Sequence, residues 1–278
     1  MNVENLILHI NELKEITNEQ WMNSLDDRKR EELEFHNLDR DVSRVSETKE
    51  NDTYEKFYGN RKYYQATKRS NEYVERYIKQ NAKDKIFLDY ACGNGGNAIK
   101  AASAGATLSL GLDISSVSVE NASKVATEAK LDNVIFFQAD AENTKLPDNC
   151  VDCVICSGML HHLDLSYAFP ELRRILKPGG KILAVEALDY NPIIKLYRMM
   201  TPDMRTDWEK AHILSLKDIN FAKRFFTIGE IRFWHVIGYV GGKFPFLLPV
   251  LDTIDVLLEK IPFVQRLSWI FTFELKKN

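Results

Sequence analysis

The stretch LDYACGNGGNAIKAA, residues 88–102, decides the fold, because it leads from an apolar run through a glycine-rich turn into a helix-like run. The turn follows an acid, Asp89, and contains Gly93, Gly95 and Gly96. A turn of this kind between a buried strand and a helix lets a ligand touch the backbone at the helix N-terminus. The stretch therefore predicts a ligand-binding strand–turn–helix unit.

Outward from this unit, short apolar runs alternate with longer helix-like runs. The strand-like runs between residues 85 and 188 are KIFLDY, ATLSLGLDI, NVIFFQAD, VDCVICS and GKILAVEAL. Two more, IRFWHVIGYV (231–240) and SWIFTFELKK (268–277), follow later in the chain. Such alternation is typical of a parallel sheet with crossover helices. We therefore predict an α/β fold with a doubly wound, seven-stranded sheet.

The segments outside this pattern are expected to form helical additions. Residues 1–82 are charged and helix-like, and they predict an N-terminal helical cap or lid ahead of a ligand-binding domain at 83–278. Segments at about 190–228 and 241–266 predict substrate-binding helical insertions after strands 5 and 6. Residues 246–264, within the second insertion, are apolar and are expected to form a core helix or the interface of a homodimer.

The composition is that of an ordinary globular protein, with 45% apolar and 28% charged residues. The net charge of −3 argues against nucleic acid as a partner, because phosphate binding usually requires a strongly basic surface. No positively charged signal peptide and no window of about 18 apolar residues is found, so no transmembrane segment is expected. Four cysteines, clustered between residues 92 and 156, favour a reducing, cytoplasmic location.

Three of the cysteines, Cys150, Cys153 and Cys156, have the spacing C-x-x-C-x-x-C, which also occurs in metal sites. The run CVDCVIC is typical of a strand, in which residues i and i+6 lie about 20 Å apart. Thiolates at that separation cannot share one ion with bonds of ~2.3 Å to each sulfur. We therefore expect buried cysteines that bind no metal, and no metal elsewhere in the protein.

The glycine-rich turn by itself is compatible with two kinds of cofactor. Gly93, Gly95 and Ala98 fit the pattern G-x-G-x-x-A, and Asp113 lies twenty residues beyond Gly93, as in proteins that bind dinucleotides. Asp89, however, would face a pyrophosphate with the wrong sign of charge, whereas it would suit a ligand that carries an ammonium group. This favours S-adenosylmethionine (SAM) over NAD.

Five segments together resemble the class I SAM-dependent methyltransferases over about residues 84–188: LDYACGNGG, GLDIS, QADAE, LPDNCVDCVICSGMLHHL and LRRILKPGGKILAVE. The resemblance implies a Rossmann-like fold and SAM as the cofactor, with S-adenosylhomocysteine as product. Ala91 stands where the family usually has glycine. We expect ordinary backbone angles at Ala91, so that this difference has little effect.

The resemblance also implies which residues hold the cofactor. Asp113 would accept hydrogen bonds from both ribose hydroxyls, and Asp140 would bind the adenine amino group beside the backbone of Ala141. Ser157 and its neighbours, after the fourth strand, would line the methionine end of the cofactor and the acceptor site. The other expected cofactor contacts are Asp89, Ala91, Gly93, Gly95, Ile114 and Tyr58.

His161 and His162 follow the fourth strand at the expected mouth of the site, so they are the candidates for a general base. The acceptor would be held by segments outside the region that resembles the methyltransferases. In these segments arginine and lysine alternate with tyrosine, a pattern expected of a site that binds a partly apolar, anionic molecule. The candidate substrate-binding residues are Tyr54, Arg61, Arg69, Arg198 and Arg205.

From these features we expect methyl transfer to an oxygen nucleophile, a carboxylate or a hydroxyl, of a small-molecule natural product or a modified peptide. Methylation of a nitrogen or of a lipid or quinone is the alternative within the same class. In a different class, the chain would bind SAM without transferring its methyl group. The sequence leaves these alternatives open.

Overall fold

A computed structural model describes residues 2–49 and 53–278, and in these residues seven strands form one mixed sheet. The strands are β1 Ile86–Tyr90, β2 Leu108–Asp113, β3 Val134–Gln138, β4 Val151–Ser157, β5 Leu176–Ala187, β6 Thr227–Trp234 and β7 Ile270–Lys276. Their order is β3-β2-β1-β4-β5-β7-β6, and β7 alone runs antiparallel to both of its neighbours. The predicted α/β fold with a doubly wound, seven-stranded sheet is confirmed.

The helices lie on both faces of the sheet and over its carboxyl edge. They are α1 Val3–Leu13, α2 Asn18–Ser24, α3 Asp27–Arg40, α4 Val42–Lys49, α5 Tyr54–Tyr58, α6 Lys68–Asn81, α7 Gly96–Ser103, α8 Ser116–Glu128, α9 Leu165–Ile175, α10 Pro192–Met200, α11 Asp207–Ala211, α12 Leu216–Ala222 and α13 Leu248–Leu258. The side chain of Ser115 caps α8 by accepting a hydrogen bond from the N–H of Ser118. Such a bond satisfies one of the free N–H groups at a helix start.

The alternation of side chains along β1 divides the core into two layers. Phe87 is buried in the layer formed with helices α6 and α7, whereas Leu88 is buried in the layer that includes α9 and also Leu6 and Ile10 of α1. Period-two alternation places successive residues on opposite faces of a sheet. Helices α1 and α6, which precede residue 82, therefore cover the sheet itself, and the domain boundary at residue 82 stays a prediction.

The sixth strand ends earlier than the sequence indicated. Strand β6 stops at Trp234, and the run predicted to be a strand at 231–240 is wrong over its second half. His235 has a left-handed φ of 64°. The carboxylate of Asp255 then accepts the N–H groups of Ile237 and Gly238, each at 2.9 Å, so that these groups need no neighbouring strand.

Helix α13, at the centre of the apolar segment 246–264, is not a core helix of this chain. Of its described side chains only Asp255 is buried, whereas Val250 and Leu257 are exposed, as is Phe246 just before the helix. A role in a dimer stays a prediction. No helix within residues 2–49 and 53–278 has the length and apolar character that crossing a membrane would require.

Candidate active site

A cleft of about 190 Å³ opens at the carboxyl ends of β1, β2 and β3, and carboxylates from all three strand ends line it. These are Asp89 within β1, Asp113 at the end of β2 and Asp140 just beyond β3. In open α/β sheets, ligands bind at this edge. The structure thus brings together the three acids that the sequence placed at successive strand ends.

The glycine turn forms the floor of the cleft and has no room for side chains at Gly95. Gly93 and Gly95 have left-handed φ angles of 51° and 76°. A Cβ on Gly95 would lie 2.6 Å from Cε1 of Phe136 and 2.7 Å from Cβ of Ala122. Glycine is therefore required here both by the backbone angle and by the close packing of the turn on β3 and α8.

Asp113 fixes the turn against the end of β2. Its Oδ2 accepts the N–H of Gly93 at 2.8 Å, and its Oδ1 accepts the N–H of Ser115 at 2.9 Å. A carboxylate offers about four lone-pair sites, so two remain for a ligand in the cleft. The hydroxyl of Ser118, which also lines the cleft, is buried without a hydrogen-bond partner among the described residues.

Helix α3 closes the cleft with two cations that the sequence analysis did not identify. Lys29 Nζ lies 2.7 Å from Oδ2 of Asp140 and 3.0 Å from Oε2 of Glu142, and Arg28 Nη2 lies 2.6 Å from Oε1 of Glu142. Burial lowers the pKa of Lys29, but its hydrogen bond to Asp140 and the nearby charges raise it overall. An amino group that binds Asp140 must therefore share this carboxylate with Lys29 or displace it.

Asp89 lies at the bottom of the cleft and is fully buried. Its Oδ2 accepts the N–H of Ala98 at 3.1 Å. Burial raises the pKa of Asp89 to about 7, although the hydrogen bond from Ala98 opposes the shift. A cationic ligand would favour the ionised carboxylate, which makes binding dependent on pH.

We expect the affinity for SAM to fall by up to about tenfold for each pH unit below 7, because the proton on Asp89 then competes with the cationic ligand. Above that pKa the carboxylate is already ionised, and the affinity should level off. Calorimetric titrations between pH 5.5 and 8.5 measure this dependence. Asp89→Asn keeps an acceptor for the N–H of Ala98 and should flatten the profile. An unchanged slope in this variant would assign the effect to other cleft groups.

Ala91 does not have the ordinary backbone angles that we expected from the sequence. Its φ is 54°, in the left-handed region that alanine enters at a cost of about 1–2 kcal/mol. The residue that the family usually has at this position, glycine, would adopt this angle freely. Ala91 therefore stores strain in the wall of the cleft.

We expect Ala91→Gly to raise the free energy of unfolding by about 0.5–1 kcal/mol, because the strain relieved exceeds the extra entropy of glycine in the unfolded chain. Ala91→Val should instead lower it by about 2 kcal/mol or more, since a β-branched side chain tolerates this angle poorly. Urea denaturation of both variants tests this. A glycine variant less stable than the wild type would contradict the strained angle.

A second, larger cavity of about 990 Å³ adjoins the cleft, and the two share a wall that includes His36, Arg40, Ser157, Gly158 and His162. Its other described walls carry aromatic and basic side chains. These aromatic and basic side chains include Tyr63, Tyr64, Tyr197, Trp269, Arg61, Arg198 and Arg205. A cavity beside a cofactor cleft, mostly apolar with a few polar groups, is typical of a site for a small molecule.

Two of the arginines that line this cavity, Arg198 and Arg205, lie close enough for the charge of Arg205 to act on Arg198, although Arg205 Nε is itself 3.3 Å from Oε1 of Glu209. The Nη1 atom of Arg198 is buried without a hydrogen-bond partner among the described residues, and the nearest carboxylate oxygen, on Asp189, is 3.7 Å away. Burial, together with the charge of Arg205, lowers the pKa of Arg198 to about 10. An anionic group of a ligand would offset the burial of Arg198 and its repulsion from Arg205, and it would therefore raise the pKa of Arg198 again.

Two of the predicted substrate residues, Arg69 and Tyr54, do not line the cavity as the structure describes it. Arg69 forms a two-point pair with Glu259, at 2.8 and 2.6 Å, which directs its guanidinium away. Tyr54 packs on Tyr58, with ring centroids 5.4 Å apart.

Tyr58, which was predicted to touch the cofactor, does not line the described cleft. It is buried, its hydroxyl donates to the carbonyl of Leu38 at 3.4 Å, and Arg61 covers its ring at 4.3 Å. The aromatic residues of this segment therefore stabilise the packing of α3 and α5.

The remaining predicted cofactor contacts lie around the cleft. Those in its lining are Asp89, Ala91, Gly93, Asp113, Ile114, Asp140, Ala141 and Ser157, whereas Gly95 is buried beneath the turn. The backbone turns sharply after Ser157 at Gly158, whose φ is 64°. This turn leads the chain from β4 to the two histidines.

His161 and His162 line the larger cavity, which we call the acceptor cavity because the sequence led us to expect the acceptor beside these histidines, and each is held by a buried glutamate. His161 Nδ1 lies 2.7 Å from Oε2 of Glu186, whose Oε1 accepts the N–H groups of Met159 and Leu160. Burial alone would lower the pKa of His161, but the charge and hydrogen bond of Glu186 raise it overall. His162 Nδ1 lies 2.9 Å from Oε2 of Glu32 on α3. Sequence reasoning identified both histidines but neither glutamate.

The sheet order, the glycine turn and the acid-lined cleft define a Rossmann-like α/β protein with a site for a cofactor. Residues 88–184 match the model of the methyltransferase domain family. The chain is 35% identical over 120 residues to 27-O-demethylrifamycin SV methyltransferase of Amycolatopsis mediterranei (strain S699). The aligned region covers 42% of this chain and 44% of that protein.

It is also 43% identical over 65 residues to the ubiquinone/menaquinone biosynthesis C-methyltransferase UbiE of Hahella chejuensis (strain KCTC 2396), covering 23% of this chain and 26% of that protein. The matched region spans less than half of either relative. The crystal structure of the [4+2]-cyclase SpnF has a similar fold, with a TM-score of 0.53, 19% identity, and coverage of 73% of this chain and 79% of that one. Residues 88–184 therefore form a domain of the methyltransferase family.

Proposed function

We propose that this protein transfers a methyl group from SAM to an oxygen nucleophile, a hydroxyl or a carboxylate, of a natural product or a modified peptide. The observation that carries the proposal is the Glu186–His161 pair on the wall of the acceptor cavity, beside the cofactor cleft. A histidine oriented by a buried carboxylate is well suited to remove a proton from a hydroxyl group. We therefore favour a hydroxyl acceptor within this class.

Bound SAM supplies a methyl carbon that its sulfonium already activates. In this proposal Asp89, Asp113 and Asp140 bind and orient the cofactor through its cationic and hydrogen-bond-donating groups. Holding the two reactants in line can lower the barrier by about 7–11 kcal/mol. Glu186 fixes the ring of His161 through Nδ1, and Nε2, which lies 3.8 Å from Oε1 of Glu209, would take the hydroxyl proton, a contribution of roughly 10²–10⁴ in rate.

The acceptor cavity favours a partly apolar molecule with an anionic group. Arg198 and Arg205 offer positive charge, and Tyr63 and Tyr197 offer ring faces and edges, with their ring centroids 5.5 Å apart. Arginine forms two-point hydrogen bonds with carboxylates and also packs on aromatic rings. The similarity to an O-methyltransferase that acts on a rifamycin supports an acceptor of the natural-product type.

Two alternatives keep specific support. The similarity to a quinone C-methyltransferase favours methylation of a lipid-like quinone, whereas the arginines disfavour a cationic amine as the acceptor of an N-methyltransferase. The fold shared with a cyclase favours the alternative class, a SAM-binding protein that transfers no methyl group. The product of the reaction distinguishes all of these.

The experiment is incubation of the protein with SAM that carries an isotope label on its methyl group, together with hydroxylated and carboxylated aromatic acceptors. The expected result is S-adenosylhomocysteine and a labelled product whose methyl group is on oxygen, located by NMR. A label on carbon or nitrogen would replace the proposal by the corresponding alternative. Intact SAM with every acceptor, combined with a thermal shift caused by SAM but not by NADH, would support binding without methyl transfer.

A further inference from the structure

We propose that Glu32, His36 and His162 bind a divalent transition-metal ion at the wall between the cofactor cleft and the acceptor cavity. Binding of the ion stands on its own, whereas its role in the reaction rests on the proposed function. This inference replaces our expectation from the sequence that the protein has no metal, which we argued from the cysteines.

The three side chains present their ligand atoms to one point. Oε2 of Glu32 lies 2.9 Å from Nδ1 of His162 and 3.5 Å from Nε2 of His36, and all three ligand atoms lie within 4.8 Å of one another. Metal bonds to histidine nitrogen and carboxylate oxygen are about 2.0–2.2 Å long. Neighbouring ligands at such distances are separated by roughly 3.0–3.5 Å, so the carboxylate oxygen of Glu32 already lies close to ligand spacing from both histidines.

Elements far apart in sequence hold these ligands in place. Glu32 and His36 are four residues apart on α3, so both project from the same face of the helix. His162 comes from the turn after β4. The other oxygen of Glu32, Oε1, accepts a hydrogen bond from the hydroxyl of Thr206, so its carboxylate is oriented before any ion binds. Partners of this kind strengthen metal sites.

The site has open positions where substrates would lie. Glu32, His36 and His162 all line the cofactor cleft, and the two histidines also line the acceptor cavity. Three protein ligands with room for an exogenous one are typical of catalytic rather than structural metal sites. Two imidazoles and one carboxylate suit Zn²⁺, Fe²⁺, Co²⁺ or Ni²⁺ better than Mg²⁺, which prefers oxygen ligands.

A second candidate group, His235, Asp255 and Glu259, is less suitable. Both oxygens of Glu259 already bind the guanidinium of Arg69, and Asp255 accepts two backbone N–H groups. In the chosen group, by contrast, the contacts of the described residues with Oε2 of Glu32 are those of the two histidines themselves.

An ion at this site would activate a hydroxyl acceptor. Coordination lowers the pKa of a bound hydroxyl group by several units. His161, whose ring centroid lies 4.3 Å from that of His162, would take the released proton. The acceptor oxygen then forms its bond to the methyl carbon while the carbon–sulfur bond breaks, and the electron pair of that bond goes to sulfur.

The test uses the full chain without a histidine tag, treated with a chelator and then desalted. We titrate it with CoCl₂, following visible d–d absorption, and with ZnCl₂ by calorimetry. We expect one ion per chain with micromolar or tighter affinity. His36→Ala and Glu32→Gln should each weaken binding at least 100-fold, whereas His9→Ala, a histidine on α1, should not change it. Circular dichroism shows whether each variant is folded.

Two results would overturn the metal site: no stoichiometric binding by the wild type, or unchanged affinity in both folded variants. In that case the group is a hydrogen-bond network only. Methyl transfer that continues in the chelated protein, without bound metal, would overturn the catalytic role but leave the proposed function intact. Tight binding of the ion without any methyl transfer would instead overturn the proposed function and leave the metal site.

Discussion

Asp113→Ala is expected to weaken SAM binding about 100-fold, a loss of about 2.7 kcal/mol. The carboxylate of Asp113 lines the cleft and keeps two lone-pair sites after binding the N–H groups of Gly93 and Ser115. A hydrogen bond from a hydroxyl to a charged group is worth about 1.5–3 kcal/mol net of the water that it replaces, so two ribose hydroxyls together account for a loss of this size. Isothermal titration calorimetry at pH 8 measures the change.

The same substitution leaves two backbone N–H groups without an acceptor, so some loss of stability must be separated from the loss of binding. We therefore measure the unfolding midpoint without ligand and confirm that the variant is folded at the titration temperature. Asp132→Ala removes an exposed aspartate close to β3 and serves as the matched control. If folded Asp113→Ala bound SAM as tightly as the control, Asp113 would have no part in the site.

The sequence predicted the elements whose patterns are local. The apolar runs of β1 to β5 and the glycine turn depend on neighbours within a few residues, and the structure has them close to where the sequence placed them, except that β5 begins at Leu176, four residues before its predicted run. The end of β6 was misplaced because the apolar pattern continues past Trp234. What stops the strand is the left-handed angle at His235 and the carboxylate of Asp255, twenty residues further on.

The side chains that complete the site could not be predicted, because they come from elements far apart in sequence. Glu32 lies 130 residues from His162, and Lys29 lies 111 residues from Asp140. In the sequence, Glu32 belongs to a charged helical run that resembles any solvent-exposed helix. The one local signal was the spacing of four between Glu32 and His36, which places a carboxylate and an imidazole on one helix face.

The predicted substrate residues that do not line the described cavity show the reverse effect. Arg69 was chosen because it lies in a segment that alternates basic and aromatic residues. In the structure, the carboxylate of Glu259 binds its guanidinium, whereas Arg198, chosen for the same reason, has a buried nitrogen to which none of the described residues forms a hydrogen bond. Composition alone does not distinguish a paired arginine from one that is free to bind a ligand.

His161→Gln is expected to lower kcat for a hydroxyl acceptor by about 10²–10⁴, the usual contribution of a general base. Glutamine can still donate a hydrogen bond to Glu186, but it cannot accept a proton. The SAM affinity should be unchanged, because His161 lines the acceptor cavity and not the described part of the cofactor cleft. Single-turnover measurements at saturating SAM and acceptor separate the chemical step from binding.

A carboxylate acceptor provides the decisive control for this variant, since it is already ionised at neutral pH and has no proton to lose. His161→Gln should therefore reduce its methylation by no more than a few-fold, while the hydroxyl reaction falls by orders of magnitude. His212→Ala, an exposed histidine, should affect neither reaction. An equal loss for both acceptors would mean that His161 shapes the cavity, and a small loss for both would remove the general base and favour a carboxylate as the natural acceptor.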